Sequence, residues 1–382
     1  MRKCVKAGLA FSIMLCLGLT GCGTDPTAEI PVQVWEPIES ESSEEPEQTE
    51  EIVEETETKE ELPPKPVEVT ILISAAGDVT LGNHQDQDYG SSFIQKYDEE
   101  GDQYFLQNVK EIFENDDMTI VNFEGVLTTS DTKRQTTYNM KGDPSYINIL
   151  TEGCVEAVGF ANNHQRDYLD QGITDTVEAC KSANLTYAYD DITGIYETKG
   201  IRIGMVALNE VEQGSAVEKY VEEGINSLKE QDVNLIIVCC HWGIEKENYP
   251  EAYQMTLGRK CIDLGADLVL GSHPHVLQGV EEYNGKFIVY SLANFCFGGN
   301  RSPKDKDTMI FQQEFKFVDG VKVEDTNARV IPCKVSSVST HNDFCPTPAV
   351  GEDYVQIMNR INEYSKPFGV RFDEGGNYIK ED

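Results

Sequence analysis

The sequence predicts an α/β fold for the greater part of this 382-residue chain. Short apolar, β-branched runs alternate with segments whose apolar residues recur at helical spacing, which indicates strands that alternate with helices. Two of the runs, at 202–208 and 233–240, are apolar throughout, as is typical of strands covered on both faces. After residue 276 the pattern becomes all-β, which predicts a second, more antiparallel sheet.

The predicted elements follow in order from residue 69. Strands are expected at 69–73, 118–121, 155–160, 185–187, 202–208, 233–240, 267–270, 287–292, 308–317 and 321–335. Helices are expected at 104–115, 174–183, 249–264 and 352–365. We therefore assign residues 68–335 to one domain and residues 336–382 to a C-terminal extension whose helix packs on that domain.

The segment before this domain is acidic and almost without apolar periodicity. The net charge of the chain is −36, and residues 25–68 contain 16 acidic residues against two lysines. Such a composition cannot bury enough apolar surface to offset chain entropy, so residues 23–67 are predicted to be a disordered acidic linker. No basic stripe is present to neutralise phosphates, so a nucleic-acid partner is disfavoured. An acidic exterior would also repel an anionic polymer.

The first 22 residues are predicted to be a lipoprotein signal peptide. Arg2, Lys3 and Lys6 precede an apolar run, 7–19, that is too short to remain as a membrane-spanning helix. Leu-Thr-Gly-Cys at 19–22 resembles a bacterial lipobox, which implies that Cys22 is acylated and anchors the protein on the extracellular face of the cell membrane. The alternatives are an ordinary signal peptide and an uncleaved anchor.

Eight cysteines lie beyond Cys22, at positions 154–345. Export permits disulfides, but several of these cysteines fall inside apolar strand or helix patterns, where a free thiol behaves as a small hydrophobe. The chain contains no Cys-x-x-Cys pair. We therefore expect mostly reduced, buried cysteines and no cysteine-zinc site.

Polar side chains with metal-binding chemistry follow the predicted strands, at the point where each strand ends. They are Asp78, Glu124, Asn163 with His164, His241, and His273 with His275. In open α/β sheets, ligands bind beyond the carboxyl ends of the strands, so we expect these side chains to meet in one crevice. Carboxylates, an amide and imidazoles are suitable ligands for Mn, Zn, Fe or Mg.

Each of these residues also has an ordinary structural explanation. Asp78 can be a turn residue after Gly77, Glu124 can cap a helix, and Asn163 can form an Asx turn. A single histidine is more often structural or exposed than a ligand. The joint placement of four of the six histidines at strand ends favours a metal site.

The order of these motifs resembles that of the dinuclear metallophosphoesterases, and more specifically the CapA family of poly-γ-glutamate capsule proteins. The resemblance covers about residues 69–365. The motifs that carry it are Gly77-Asp78, Asn122-Phe-Glu124, Asn-Asn-His-Gln-Arg-Asp-Tyr at 162–168, His-Trp-Gly at 241–243, Ser-His-Pro-His at 272–275 and Tyr-Ser-Leu-Ala-Asn-Phe at 290–295. The fold that the resemblance implies is the four-layer α-β-β-α sandwich of the calcineurin-like metallophosphoesterases.

The resemblance also implies roles for individual residues. Glu124, Asn163, His241 and His273 would form the stronger metal position, and Asp78 with His275 the weaker one, so that one or two divalent ions bind. His164 would be the catalytic acid, oriented by Asp167. Candidate substrate contacts are Asn122, Arg166, Gln254 and Arg301.

Three positions depart from the family patterns. The phosphoesterases have Asp-x-His at the first strand, where this chain has Thr80, and they have a bridging Asp where it has Glu124. The CapA family commonly has Gly where this chain has Ala293.

Three functions remain open from the sequence. The first is a metal-dependent hydrolase that acts on a phosphoester or on an envelope polymer. The second is a non-catalytic, metal-dependent factor that binds an anionic polymer during capsule assembly, with a membrane capsule synthase complex as partner. The third is a solute-binding lipoprotein, which would give the histidine cluster no role.

Overall fold

The computed structural model describes residues 65–84, 86–323 and 327–380. The predicted signal peptide, its Cys22 and the linker up to residue 64 lie outside this part of the chain. The described residues belong to one unit, Pro63–Asp382. Within them, no helix has the length and apolar character needed to cross a membrane.

The strands alternate with helices through the first two thirds of the unit. In chain order the strands are β1 Glu68–Thr80, β2 Asn83–His84, β3 Met118–Phe123, β4 Val126–Leu127, β5 Met140–Gly142, β6 Ala157–Gly159, β7 Thr186–Ala188, β8 Gly194–Thr198, β9 Ile201–Asn209, β10 Leu235–His241, β11 Leu268–Ser272, β12 Val280–Tyr283, β13 Lys286–Val289, β14 Asn294–Phe297, β15 Asp307–Val318, β16 Val321–Val323, β17 Ala328–Lys334 and β18 Thr347–Pro348. The α-helices are α1 Phe93–Glu100, α2 Lys110–Glu114, α3 Asn148–Glu152, α4 Leu169–Ser182, α5 Glu210–Gln213, α6 Val217–Glu230, α7 Ala252–Asp263 and α8 Gly351–Ser365.

Two large sheets carry the fold. The first has the order β18-β17-β15-β1-β3-β6-β7, with β14 also paired to β1 and β16 to β15. The second has the order β12-β13-β11-β10-β9-β8. Each sheet contains four neighbouring strands that are parallel: β1, β3, β6 and β7 in the first, and β13, β11, β10 and β9 in the second. A small third sheet, β2-β5-β4, flanks them. The predicted mixed α/β fold with more than one sheet is therefore confirmed.

Three apolar clusters hold these elements together. The first contains residues of both sheets, among them Ile73 of β1 and Leu270 of β11, together with Ile357 of α8. The second joins the first sheet to the segments that cover it, including α4. The third joins the second sheet to α6 and α7. Apolar side chains therefore cover both faces of each large sheet, as the continuous apolar runs indicated.

Several local predictions were wrong. The segment 104–115 was expected to be one helix, but only α2 is α-helical there, and Asn108, before α2, donates from its side chain to Thr347 Oγ1 at 2.9 Å. Helix α6 and the edge strand β8 were not predicted. The single run expected at 321–335 is divided between β16 and β17, with residues 324–326 outside the described part.

The C-terminal segment packs closely on the two sheets. Ile357 and Ile361 of α8 and Phe372 belong to the same apolar cluster as both sheets, and Ser365 Oγ accepts a hydrogen bond from Val280 N at 2.9 Å. The proposed division of the chain at residue 335 stays a prediction. All eight cysteines from Cys154 to Cys345 are buried, and none of them forms a disulfide with another described residue.

Candidate metal centre

A β-bulge at the end of β1 directs Asp78 towards the second sheet. The pairing of β1 with β3 shifts register between Ala76 and Asp78, so Gly77 is the extra residue. Before the bulge, Ile73 and Ala75 face the cluster between the sheets and Ala76 faces the opposite side. One inserted residue reverses the alternation, so Asp78 rather than Gly77 points to the inner side, as bulges near functional sites commonly arrange.

Strand β3 provides the next two side chains. Asn122 Nδ2 donates to Asp78 Oδ1 at 2.8 Å and lies 3.3 Å from His241 Nδ1, so it links the two sheets. Glu124 follows directly after β3 and is 1% exposed. Neither oxygen of its carboxylate has a hydrogen-bond partner among the described residues. A buried carboxylate without a hydrogen-bond partner is costly, so a positive charge nearby would stabilise this side chain.

The loop after β6 adds Asn163 and His164. Asn163 Oδ1 lies 2.8 Å from His241 Nε2. His164 Nδ1 lies 2.7 Å from Asp167 Oδ2, an oxygen that also accepts a hydrogen bond from Met140 N at 2.7 Å. The other ring nitrogen, His164 Nε2, lies 3.8 Å from Glu124 Oε1, and the side chain is 15% exposed. Asp167 therefore fixes the ring so that Nε2 faces the centre.

The second sheet presents three imidazoles. His241 is the last residue of β10, and its Nε2 lies 3.1 Å from His273 Nδ1, just beyond β11. His275 Nδ1 lies 3.0 Å from Asp78 Oδ2 and 2.9 Å from Asn294 Oδ1. His275 Nε2 lies 3.6 Å from Glu124 Oε1. Five strand ends from two sheets therefore meet at one point.

The electrostatics favour cation binding. Burial lowers the pKa of His241 well below its usual value and that of His273 to about 4, so both rings are neutral and can act as ligands. Burial raises the pKa of Glu124 to about 7, against the opposing charges of His275 and His164. Burial acts to lower the pKa of His275, but Glu124 and Asp78 outweigh it and raise that pKa to about 10. Without a metal, a proton therefore resides on His275.

The donor atoms fit a divalent metal ion. One ligand atom each from Asp78, Glu124 and His275 lies within 4.8 Å of the other two, and these residues form a candidate metal triad. Two carboxylates and one imidazole are oxygen and nitrogen donors of the kind that Mn, Zn, Fe and Mg accept. A bound ion would take the place of the His275 proton, because metal ligands must be deprotonated. Next to the triad, the potential donors of Asn163, His241 and His273 converge on one another.

The candidate substrate contacts lie at different places. Asn122 is inside the centre. Arg166 is about half exposed and donates to Asp170 Oδ1 at 2.6 Å, and Arg301 donates to Gly90 O at 2.8 Å. Gln254 is fully buried. Its Oε1 accepts a hydrogen bond from Glu251 N at 2.8 Å, which caps α7, and its Nε2 donates to Gln278 Oε1 at 3.0 Å. The structure does not bring Arg166, Arg301 or Gln254 to the metal triad, and their substrate roles stay predictions.

Two residues of the centre had no role assigned from the sequence. Asn294 holds His275 through its side-chain oxygen and also donates from Nδ2 to His275 O at 3.3 Å. Its position inside the Tyr-Ser-Leu-Ala-Asn-Phe motif was the available signal. Thr80, at the position where phosphoesterases have histidine, donates from Oγ1 to Glu124 O at 2.8 Å. The departure at Thr80 thus replaces a potential ligand by a support for Glu124.

The fold and the site define an α/β protein with a buried carboxylate and imidazole centre at the carboxyl ends of strands from two sheets. Residues 72–299 match the profile of the family described as "Bacterial capsule synthesis protein PGA_cap", and the chain belongs to this family.

The similar proteins include two capsule proteins of bacilli. The chain is 26% identical to the capsule biosynthesis protein CapA of Bacillus anthracis over 272 residues, 64% of each chain. It is 28% identical to the PGA biosynthesis protein CapA of Bacillus subtilis (strain 168) over 265 residues, 64% of this chain and 67% of that one. The match thus spans less than two thirds of the Bacillus anthracis protein. Among solved structures, NAD nucleotidase of Haemophilus influenzae aligns with a TM-score of 0.39 at 14% identity, covering 77% of this chain and 56% of that one.

Proposed function

We propose that this protein is a metal-dependent hydrolase of the bacterial cell envelope that acts in poly-γ-glutamate capsule synthesis. The observation that carries the proposal is the buried Glu124 carboxylate, which has no hydrogen-bond partner among the described residues and faces the His164–Asp167 pair. The carboxylate supports cation binding, and the oriented imidazole supports proton transfer beside it. Membership of the capsule synthesis family supports the biological context.

Two groups of ligands support metal binding. Asp78, Glu124 and His275 would hold one ion, and Asn163, His241 and His273, with Glu124, would hold a second. When bound, such an ion supplies concentrated positive charge that stabilises an oxyanion and increases the acidity of water. Asn122 keeps Asp78 and His241 at a fixed separation by hydrogen bonding to both side chains.

His164 is suited to be the general acid. Burial acts to lower its pKa, but the hydrogen bond that the ring donates to Asp167 and the nearby charge of Glu124 raise the pKa above the usual value. Because Asp167 occupies Nδ1, the proton available for transfer is on Nε2, which faces the centre. In an ester or amide hydrolysis, this proton would go to the leaving oxygen or nitrogen.

The wider assignment includes location and fold type. We propose that acylated Cys22 anchors the protein on the extracellular face of the membrane, where an anionic polymer or phosphoester is the substrate and a membrane capsule synthase complex is the partner. The signal-like sequence at residues 1–22 supports this location.

We also assign the four-layer α-β-β-α sandwich of the metallophosphoesterases, which is supported by apolar clusters on both sides of each large sheet.

The test is elemental analysis of the purified full-length protein, together with turnover of a phosphodiester and of poly-γ-glutamate. The variants are Glu124→Gln and His164→Ala, with His84→Ala as the matched control. His84 bonds Thr137 O at 2.8 Å in the small sheet and does not contact the centre. We expect one or two metal ions per chain in the wild type and in His84→Ala, and loss of metal from Glu124→Gln.

The His164→Ala result separates catalysis from polymer binding. We expect this variant to keep its metal and to lose turnover by about 10²–10⁴-fold, the usual contribution of a general acid. A wild-type protein that holds metal and binds the polymer, but hydrolyses neither substrate, would instead be an assembly factor. A protein purified without metal, and unable to bind any added divalent ion, would refute the whole assignment.

A further inference from the structure

A second polar pocket lies at the opposite end of the second sheet from the metal centre. Asp267 immediately precedes β11 and lines this pocket, whereas Ser272 at the other end of β11 leads to His273. A five-residue strand is roughly 16 Å long, so the two sites are well separated. The pocket has a volume of about 450 Å³ and is bordered by the β12–β13 turn and by strands β15 and β16.

The pocket carries a local excess of positive charge in a chain whose net charge is −36. Lys286 Nζ lies 3.3 Å from Asp267 Oδ1, and Lys322 pairs with the same oxygen. The other oxygen, Asp267 Oδ2, accepts from Ile236 N at 2.8 Å. One carboxylate therefore neutralises only one of the two ammonium charges. The other positive charge can pair with a further anion.

The other charged residues that line the pocket do not cancel this excess of positive charge. Lys380 also lines the pocket and forms no ion pair with the described residues. Glu282, the second carboxylate, accepts a hydrogen bond from Tyr378. The described residues that line the pocket include three lysines and two carboxylates, a net charge of +1. The charge of this described lining favours an anion, although the net charge of the chain is negative.

A buried amide whose oxygen has no hydrogen-bond partner among the described residues lines the pocket. Gln313 occupies an inward position of β15 between Phe311 and Phe315, which both belong to the apolar cluster between the sheets. The residue is 2% exposed, and its Oε1 has no hydrogen-bond partner among the described residues. Because a side-chain amide can turn by 180°, it can offer either its oxygen or its NH₂ group to a ligand. Buried polar groups are normally paired, so a ligand that bonds Gln313 removes an unfavourable feature of the fold.

We propose that this pocket binds a segment of a carboxylate-bearing chain of glutamate units, with a carboxylate held by Lys322 and Lys380 and the neighbouring amide bonded to Gln313. Lysine ammonium groups pair with a carboxylate as point charges, and the amide of Gln313 matches the amide that links two units. The choice of a polymer rather than a free anion rests on the proposed capsule function. The pocket itself involves no residue of the metal centre, so it can be tested with the metal removed.

The test is isothermal titration of the full-length protein with a γ-linked glutamate pentamer in the presence of EDTA. The control ligand is the same pentamer with its carboxylates amidated. We expect saturable binding of the acidic pentamer alone, and an affinity about fivefold lower in Lys380→Gln, the size of effect that one exposed charge pair gives. Lys304→Gln, an exposed lysine outside the pocket, is the matched control and should bind as the wild type does.

Gln313→Leu supplies a second readout. It should weaken binding of the pentamer and also raise the melting temperature of the free protein, because it replaces an unpaired buried amide by an apolar side chain. Equal binding by the wild type, Lys380→Gln and Gln313→Leu would overturn the proposal, as would binding of the amidated pentamer. Inorganic phosphate that binds as tightly as the pentamer would assign the pocket to a phosphate group and refute a glutamate ligand. Turnover lost in His164→Ala with pentamer binding intact would show that the two sites are independent.

Discussion

Replacement of Gly77 by alanine tests how closely the fold and the metal centre are coupled. A Cβ at this position would lie 1.8 Å from Ala293 O and 2.9 Å from Ala293 C. Real Cβ contacts are essentially never shorter than 3.0 Å, so β1 and β14 must separate by about 1.2 Å, the difference between 3.0 and 1.8 Å. Both obstructing atoms belong to the backbone, so no side-chain rotation can relieve the contact.

The cost can be estimated from the contacts that the separation disturbs. Overpacking of a tight interior costs about 1–3 kcal/mol. The hydrogen bond from Asp78 N to Ala293 O, 2.9 Å long, contributes about 1 kcal/mol more. Gly77→Ala is therefore expected to destabilise the protein by about 2–4 kcal/mol. At about 2–4 °C per kcal/mol, the factor for domains of about 150–250 residues, the melting temperature should fall by roughly 4–16 °C.

The same displacement reaches two of the candidate metal ligands. Asp78 is paired with Asn294 across β1 and β14, and Asn294 holds His275. Separation of the strands therefore moves Asp78 and His275 apart, and metal affinity should fall together with stability. Calorimetry and metal titration measure the two effects. The control is Gly90→Ala, where an added Cβ meets no atom within 4 Å. A Gly77→Ala protein that melts within 1 °C of Gly90→Ala and binds metal as tightly would refute this account of the bulge.

Two further predictions concern pH and the support of Glu124. Burial raises the pKa of Glu156 from 4.5 to about 8, so its contribution to stability is complete below pH 4.5 and is lost as pH rises through about 8. Urea unfolding should therefore show that Glu156→Gln is more stable than the wild type at pH 9 but not at pH 4; equal differences at both pH values would contradict this. Thr80→Val removes the donor to Glu124 O and should cost about 1 kcal/mol and weaken metal binding, and unchanged melting and metal affinity would show that the bond contributes nothing.

The strand ends were predictable because each one is marked by a local change in the sequence. A run of apolar residues stops, and Asp78, Glu124 or His241 follows. Parallel strands bring such positions to one edge of a sheet, and this rule needs no knowledge of the neighbouring strands. These side chains converge in the structure because the parallel strands that carry them end at the same edge.

The bulge at Gly77 could not be predicted in the same way. It depends on Ala293, a residue more than 200 positions later, whose carbonyl occupies the space of a Cβ at Gly77. Regular alternation of side chains along β1 would place Gly77 on the inner face of the sheet and Asp78 on the outer face. A contact between distant segments therefore decides which side chain reaches the metal centre.

The missed helix and the overestimated helix have different causes. In α6, Val217, Val221, Ile225 and Leu228 recur at helical spacing and all are buried, so the signal was present in the sequence and was not recognised. At 104–115 the apolar spacing is equally regular, but only residues 110–114 are α-helical, and the others lie in turns and at the end of a 3₁₀ helix. Local periodicity therefore predicts which residues are buried there but not the conformation of the backbone.

The backbone around the metal centre contradicts local preference at three residues. His273, His275 and Ala293 have φ values of 96°, 57° and 64°, in the region that favours glycine. Each such conformation costs on the order of 1 kcal/mol, so it persists only where surrounding contacts hold it. Ser291 Oγ accepts from Ala293 N at 3.2 Å, and Asp78 Oδ2 accepts from His273 N at 3.4 Å. Two of these three residues, His273 and His275, are candidate metal ligands, and a functional site is where a fold is expected to depart from local backbone preference.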